Sequence, residues 1–293
     1  MTCTLGLYEK AMPGSLTWEE KLSVAKATGF DAIEISIDES DQKLARLEWT
    51  AEQRLSLLNM SRQKGIMINT MCLSGHRKYP LGSSDRETEY HGMEIMKKAI
   101  QLASDIGIRI IQLAGYDVYY NETGSPETRQ RFIDNLIISV EMAAAKGVIL
   151  AFETMETDFC NTISKAMDFV SIVNSPYCKV YPDVGNITNA ASSTIPELSN
   201  EFPLEFSEKT DDLVCLDIRS GKGHIAAAHL KETVPGKFRD LRFGDGYVNF
   251  KLVTDELKAQ GVRMYTAEFW YDGGSDWHDE LSRTNKFLRS YLS

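Results

Sequence analysis

The chain has 293 residues, 43% of them hydrophobic and 25% charged, with 42 acidic against 32 basic side chains and a formal net charge of −10. This composition excludes disorder and collagen-like repeats, and the acidic excess opposes nucleic acid and anionic membrane surfaces, which carry the same sign. One domain over residues 1–293 fits the length, since a (β/α)8 barrel typically takes about 250 residues.

Taken in order, the chain repeats one phrase: a helical pattern, a glycine, then a short run rich in apolar and β-branched residues. After an opening strand, CTLGLY, the phrase occurs at Gly29-FDAIEIS, Gly65-IMINTMC, Gly107-IRIIQLAG, Gly147-VILAFE, Gly223-HIAAAHL and Gly261-VRMYTAEF. Glycine suits the position after a helix, where the backbone often turns through the left-handed region. The first four glycines are spaced by 36, 42 and 40 residues. Each unit holds one helix and one strand, which suits a parallel sheet better than a solenoid of helix pairs. With CKVYPD after Ser175-Pro176 the strands number eight, enough to close a single-domain α/β barrel.

Helix starts are marked as well. Thr17-Trp-Glu-Glu20 and Thr50-Ala-Glu-Gln53 fit capping boxes. The first helix then sets Trp18, Leu22 and Ala25 on one face, and the segment after Pro126 does the same with Phe132, Leu136 and Val140, the stripe a helix turns towards a barrel. Residues 186–206 read as an irregular strand-to-helix insertion.

The five cysteines (Cys3, Cys72, Cys160, Cys178, Cys215) are scattered and include no Cys-x-x-Cys pair, so they read as reduced, mostly buried thiols. The opening MTCTLGLYEKAMPG reaches Glu9 before any long apolar stretch, and Leu136 to Phe152 is broken by Glu141 and Lys146. Neither a signal peptide nor a membrane span is expected, which points to the cytoplasm.

In a barrel the loops at the C-terminal ends of the strands build the active site. Four successive strands end on a polar group: Glu153, Asp183, His229 and Glu268. Any one alone reads as a local hydrogen-bonding residue. Together, three carboxylates at one mouth would repel strongly without a cation, and with an imidazole they form a mixed O/N site for manganese, magnesium, cobalt or zinc. His224 begins its strand, away from that mouth, and His91 and His278 fall in helical or surface patterns. His76, in the Ser-Gly-His-Arg-Lys-Tyr-Pro loop after the third strand, is a candidate substrate contact. The segment 235–246, PGKFRDLRFGDG, is a basic, glycine-bearing loop in an acidic chain and follows the seventh strand, where this fold commonly binds phosphate. Arg239 is expected on the phosphate, helped by Lys237 and by the backbone of Ser74 and Gly75.

These residues, with LGLYEKAMP, GFDAIEISIDESD, LSGHRKYPLGS, YPDVGN, HLKET, PGKFRD, FGDG and TAEFW, resemble the L-xylulose 5-phosphate or L-ribulose 5-phosphate 3-epimerases (also hexulose-phosphate isomerases) of the xylose-isomerase-like barrels, almost end to end. The resemblance implies a divalent metal on Glu153, Asp183, His229 and Glu268, with Glu153 and Glu268 also acting as acid and base on opposite faces of the substrate. It further implies a small phosphorylated ketose as substrate, with Asn186 and Lys231 among its contacts, and a homodimer as the default assembly. Related epimerases of unphosphorylated ketoses carry histidine where this chain has Asn186, three residues after the ligand aspartate. Thr188-Asn-Ala-Ala-Ser192 departs from a bulkier, tryptophan-containing stretch in close relatives.

The implied chemistry removes a weakly acidic proton beside a ketone, through an enediolate, and returns one to the opposite face. An aldose–ketose isomerase would use the same ligands. An apurinic-site endonuclease would need further metal ligands and a basic groove, which the net charge opposes. A non-catalytic sugar-phosphate binder would have no need of paired bases.

Overall fold

The strands are short, and most of their residues are fully buried because the sheet is covered on both faces. In a computed structural model, which describes residues 2–194 and 204–293, they are β1 (Thr4–Tyr8), β2 (Ala32–Ile37), β3 (Met67–Leu73), β4 (Ile110–Ala114), β5 (Ile149–Glu153), β6 (Cys178–Tyr181), β7 (Ala228–Leu230) and β8 (Met264–Ala267). All pair in parallel in the order β6-β5-β4-β3-β2-β1-β8-β7. Parallel bridges at Val180–Ile225 and Asp183–His229 bring β6 to β7 and close the barrel. The second bridge sets two of the expected ligands side by side at the C-terminal rim.

The helices are α1 (Trp18–Ala27), α2 (Asp41–Leu44), α3 (Ala51–Lys64), α4 (Arg86–Ile106), α5 (Pro126–Ala145), α6 (Ile163–Val173), α7 (Val184–Ser193), α8 (Leu204–Ser220), α9 (Phe250–Ala259) and α10 (Trp277–Leu292). Both expected capping boxes form. Thr17 Oγ1 accepts from the Glu20 amide while Glu20 accepts from the Thr17 amide, and Thr50 and Gln53 do the same. Leu22 and Ala25 of α1 and Phe132, Leu136 and Val140 of α5 are buried in the main core, with Trp18 packed at its edge. The six glycines that introduce strands all have positive φ, between 67° and 89°. At Gly29 a side chain would also strike Asn285 at 2.9 Å, so that junction demands glycine on two counts.

The expected irregular stretch at 186–206 is partly regular. Helix α7 starts at Asp183, whose Oδ1 accepts from the amides of Gly185 (2.8 Å) and Asn186 (3.0 Å). Its Gly, Asn, Thr and Ser residues are poor helix formers, so the helix depends on this cap and on packing: Val184, Ile187, Thr188 and Asn189 are all buried. Residues 195–203 of the insertion lie outside the described residues. All five cysteines are free and buried, and no helix among the described residues is long and apolar enough to cross a membrane.

Candidate active site

Glu153 is the last residue of β5, Asp183 follows β6 by two residues and caps α7, His229 is central in β7, and Glu268 directly follows β8. All four are buried, and one ligand atom from each lies within 4.8 Å of all the others. His229 Nδ1 is 2.8 Å from Glu153 Oε1 and 3.4 Å from Glu268 Oε2, placing the imidazole between the two glutamates.

Burial of three carboxylates would be prohibitive if nothing answered their charge. Part of the answer is Lys231, whose ammonium meets Asp183 Oδ2, lies 3.5 Å from Glu268 Oε2 and donates to Asn186 Oδ1 at 2.9 Å. Burial pushes the Asp183 carboxyl up to about 7, with Lys231 opposing and Glu268 adding to the rise. Burial likewise raises Glu153, against the pull of His229. For His229, burial alone would lower the imidazole, but Glu34, Glu268 and Glu153 together hold it well above its ordinary range. Apart from their ion pairing with Lys231, the buried oxygens Glu268 Oε2 and Asp183 Oδ2 have no hydrogen-bond partner among the described residues. Three carboxylates and an imidazole with donor atoms this close form a hard O/N set, so the residues present fit a divalent cation.

Two supporting residues escaped the sequence reading. Glu34, fully buried in β2, accepts from His229 Nε2 at 2.7 Å and from the Tyr181 hydroxyl at 3.0 Å. Gln112 of β4 donates to Glu153 Oε2 at 2.5 Å. Both sit mid-strand with side chains turned into the barrel, where spacing along the chain gives no sign of the partner.

Above the quartet opens a cavity lined by Tyr8, Lys10, Cys72, Ser74, Arg77, Glu153, Met155, Glu156, Asn186, Lys231, Phe238, Arg239, Glu268 and Trp270. Of the expected substrate and phosphate contacts, Ser74, Asn186, Lys231 and Arg239 line it. Asn186 is already committed, donating to the Thr154 carbonyl at 2.7 Å while holding Lys231. Three candidates are absent from the wall. The His76 imidazole is buried against the Gly92 carbonyl of α4, with Nε2 3.0 Å away, and burial pushes it down to about 4, so it anchors the loop and Arg77 takes the inward place. Lys237 is exposed, bridged through its backbone to Val234, and its ammonium reaches the Asp240 carbonyl at 3.1 Å. Gly75 packs towards Leu44 and the β2 end.

The chain belongs to the xylose isomerase-like TIM barrel family, whose model matches residues 22–291. Among its relatives, L-ribulose-5-phosphate 3-epimerase UlaE of Escherichia coli O139:H28 is 42% identical over 290 residues, 99% of this chain and 95% of the relative. The UlaE protein of Escherichia fergusonii matches to the same extent. Solved structures with this fold include D-psicose 3-epimerase from Clostridium cellulolyticum H10 with D-tagatose (TM-score 0.76, 16% identity, 100% of both chains). An L-ribulose 3-epimerase follows with TM-score 0.74 and 19% identity, covering 100% of this chain and 95% of that one.

Proposed function

We propose that this protein is a metal-dependent ketose-phosphate 3-epimerase interconverting L-ribulose 5-phosphate and L-xylulose 5-phosphate. The observation that carries the reading is the pair Glu153 and Glu268 flanking one imidazole nitrogen at the floor of a cavity whose outer wall bears guanidinium groups. The 42% identity to an L-ribulose-5-phosphate 3-epimerase across nearly the whole chain supports the substrate.

Inverting a carbon calls for a proton to leave one face and another to arrive on the opposite face, and one carboxylate cannot readily serve both. Glu153 and Glu268 take these two roles. Burial raises Glu153, moving it towards the working pH, where a group both accepts and returns a proton well. Gln112 fixes one Glu153 oxygen and His229 meets the other, so the carboxylate is aimed before substrate arrives. Lys231, held by Asn186 and Asp183, sets a positive charge beside the substrate oxygens. Glu153, Asp183, His229 and Glu268 would hold a divalent cation (manganese, zinc, magnesium or cobalt), which when bound supplies Lewis-acid stabilisation to oxygens bearing negative charge as the proton leaves. The buried free thiols fit a reducing compartment such as the cytoplasm, and a homodimer remains the expected assembly.

The test is direct: incubate manganese-loaded enzyme with L-ribulose 5-phosphate and follow the sugar by ¹³C NMR. Signals of L-xylulose 5-phosphate are expected. An aldose phosphate instead would make the enzyme an isomerase, and no turnover with fully occupied metal would remove the proposal.

A further inference from the structure

Two arginines share the outer wall of the cavity. Arg77 comes from the loop after β3 and Arg239 from the loop after β7. Each guanidinium lies over an aromatic ring, Arg77 at 5.1 Å from the Tyr119 centroid and Arg239 at 4.8 Å from that of Trp270. Neither closes an ion pair with a carboxylate among the described residues, although Glu156 lies within electrostatic reach of Arg77, and the buried Nε of Arg77 has no hydrogen-bond partner there. Arg46, Arg54, Arg219, Arg283 and Arg289 each close on an Asp or Glu.

The nearby charges do not use up the pair. Lys10, on the same wall, is neutralised by Asp38 at 2.5 Å. Glu156, the carboxylate lining the cavity besides Glu153 and Glu268, accepts from the Tyr119 hydroxyl at 3.3 Å. Tyr119 lies within electrostatic reach of both Arg77 and Arg239, so the two guanidiniums border one region. A guanidinium stacked on a ring keeps its in-plane N–H groups free and loses little freedom on binding, which favours bidentate capture of a tetrahedral dianion.

We infer that Arg77 is a specificity-determining residue that closes on the substrate phosphate from the side opposite Arg239, with the Ser74 hydroxyl beside it. The inference rests on the proposed ketose-phosphate reading and adds to it. It also explains why the loop carrying Ser74 and Arg77 is pinned from behind by His76 on Gly92.

The experiment compares wild type, Arg77→Met and Arg77→Lys as metal-loaded holoenzymes, with L-ribulose 5-phosphate and L-ribulose as substrates and inorganic phosphate as a calorimetric ligand. Arg77→Met is expected to raise KM for the phosphorylated ketose about 10- to 100-fold, the range for losing a charge-assisted pair. L-Ribulose, lacking the anion, should lose less than about threefold in kcat/KM, and phosphate binding should weaken in step with the KM effect. Arg77→Lys keeps the charge and stem but not the fork, so it should recover part of the loss, and it carries the comparison if the Met variant does not fold. Equal losses on both sugars, or unchanged phosphate affinity, overturn the inference and leave Arg77 a brace for Tyr119. If wild type epimerises neither sugar while phosphate binding still depends on Arg77, the clamp stands and the epimerase reading falls.

Discussion

Glu34 and His229, 195 residues apart in the chain, meet across the barrel interior with 2.7 Å between Glu34 Oε1 and His229 Nε2. The contact assigns the imidazole's two nitrogens. With Nε2–H donated to Glu34, the other nitrogen faces Glu153 and Glu268, and a cation bound there would replace the proton that Nδ1 shares with Glu153. Tyr181 holds the second Glu34 oxygen, and its hydroxyl is also 3.0 Å from Thr266, so the carboxylate cannot swing away. Glu34→Gln preserves shape but removes the charge that makes His229 a better donor. Manganese affinity measured by calorimetry is expected to fall about 10- to 100-fold, the usual cost of losing such an outer partner, with smaller effects on kcat once metal is saturating. Unchanged affinity would reduce Glu34 to a packing residue.

His76 supplies a pH prediction that is independent of the metal site. Its folded value, about 4, lies below the ordinary 6.5, so the unfolded chain takes up the proton first as pH falls. The neutral-imidazole contribution is therefore complete above about pH 6.5 and lost progressively down to about pH 4, amounting to roughly 3 kcal/mol at the low end. Urea unfolding at pH 7 and pH 5 should show a decline in wild type that His76→Gln lacks. Because the imidazole bonds to Gly92 and not to the cavity, KM for the ketose phosphate should change little in that variant. A large KM effect with unaltered stability would restore His76 as a substrate contact.

The loop that carries Arg239 is organised by a buried carboxylate. Glu232 Oε1 accepts from the amides of Thr233 and Val248, and Oε2 from that of Gly244, so several backbone donors converge on one side chain. Gly246 passes so close that a methyl group there would lie 2.5 Å from the Thr233 carbonyl oxygen and collide with Glu232 as well. Gly246→Ala should displace the loop and with it Arg239, and both Gly246→Ala and Arg239→Ala should raise KM for L-ribulose 5-phosphate more than for L-ribulose. Steady-state kinetics on the two sugars checks this. Equal effects would detach Arg239 from the anion.

How much of this was legible in the sequence depends on whether the controlling interaction is local. Glycines 29, 65, 107, 147, 223 and 261 announced the strand starts because a left-handed turn after a helix is a property of a few consecutive residues. Glu153, Asp183 and Glu268 were visible because a carboxylate closing an apolar run is itself a short pattern. Glu34 was not, since one polar residue in DAIEIS reads equally well as turned outward, and its partner lies in another strand. His76 and Arg77 are neighbours in one tight turn, and which of them faces the mouth is decided by the contact with α4, a tertiary fact. Helix α7 was missed because the cap that starts it is the same aspartate that closes the preceding strand.

The proposed division of labour between Glu153 and Glu268 makes the most specific demand on experiment. Each is buried at the cavity floor and each faces His229 Nδ1, so replacing either risks losing metal as well as an acid–base group. Glu153→Gln and Glu268→Gln are expected to lower kcat by at least about 10²-fold, the contribution of one positioned acid or base. Metal content measured in each variant separates this loss from lost metal. Two bases on opposite faces also leave an isotopic signature. In deuterated water, the base that accepts the C3 proton is not the one that delivers to the other face, so L-xylulose 5-phosphate formed in the first turnovers should carry solvent deuterium at C3. The L-ribulose 5-phosphate recovered at the same time should contain little, because its own proton returns from the base that took it before exchanging. Product that keeps the original hydrogen would mean that one base carries the proton between faces, and the paired-glutamate mechanism would have to be given up.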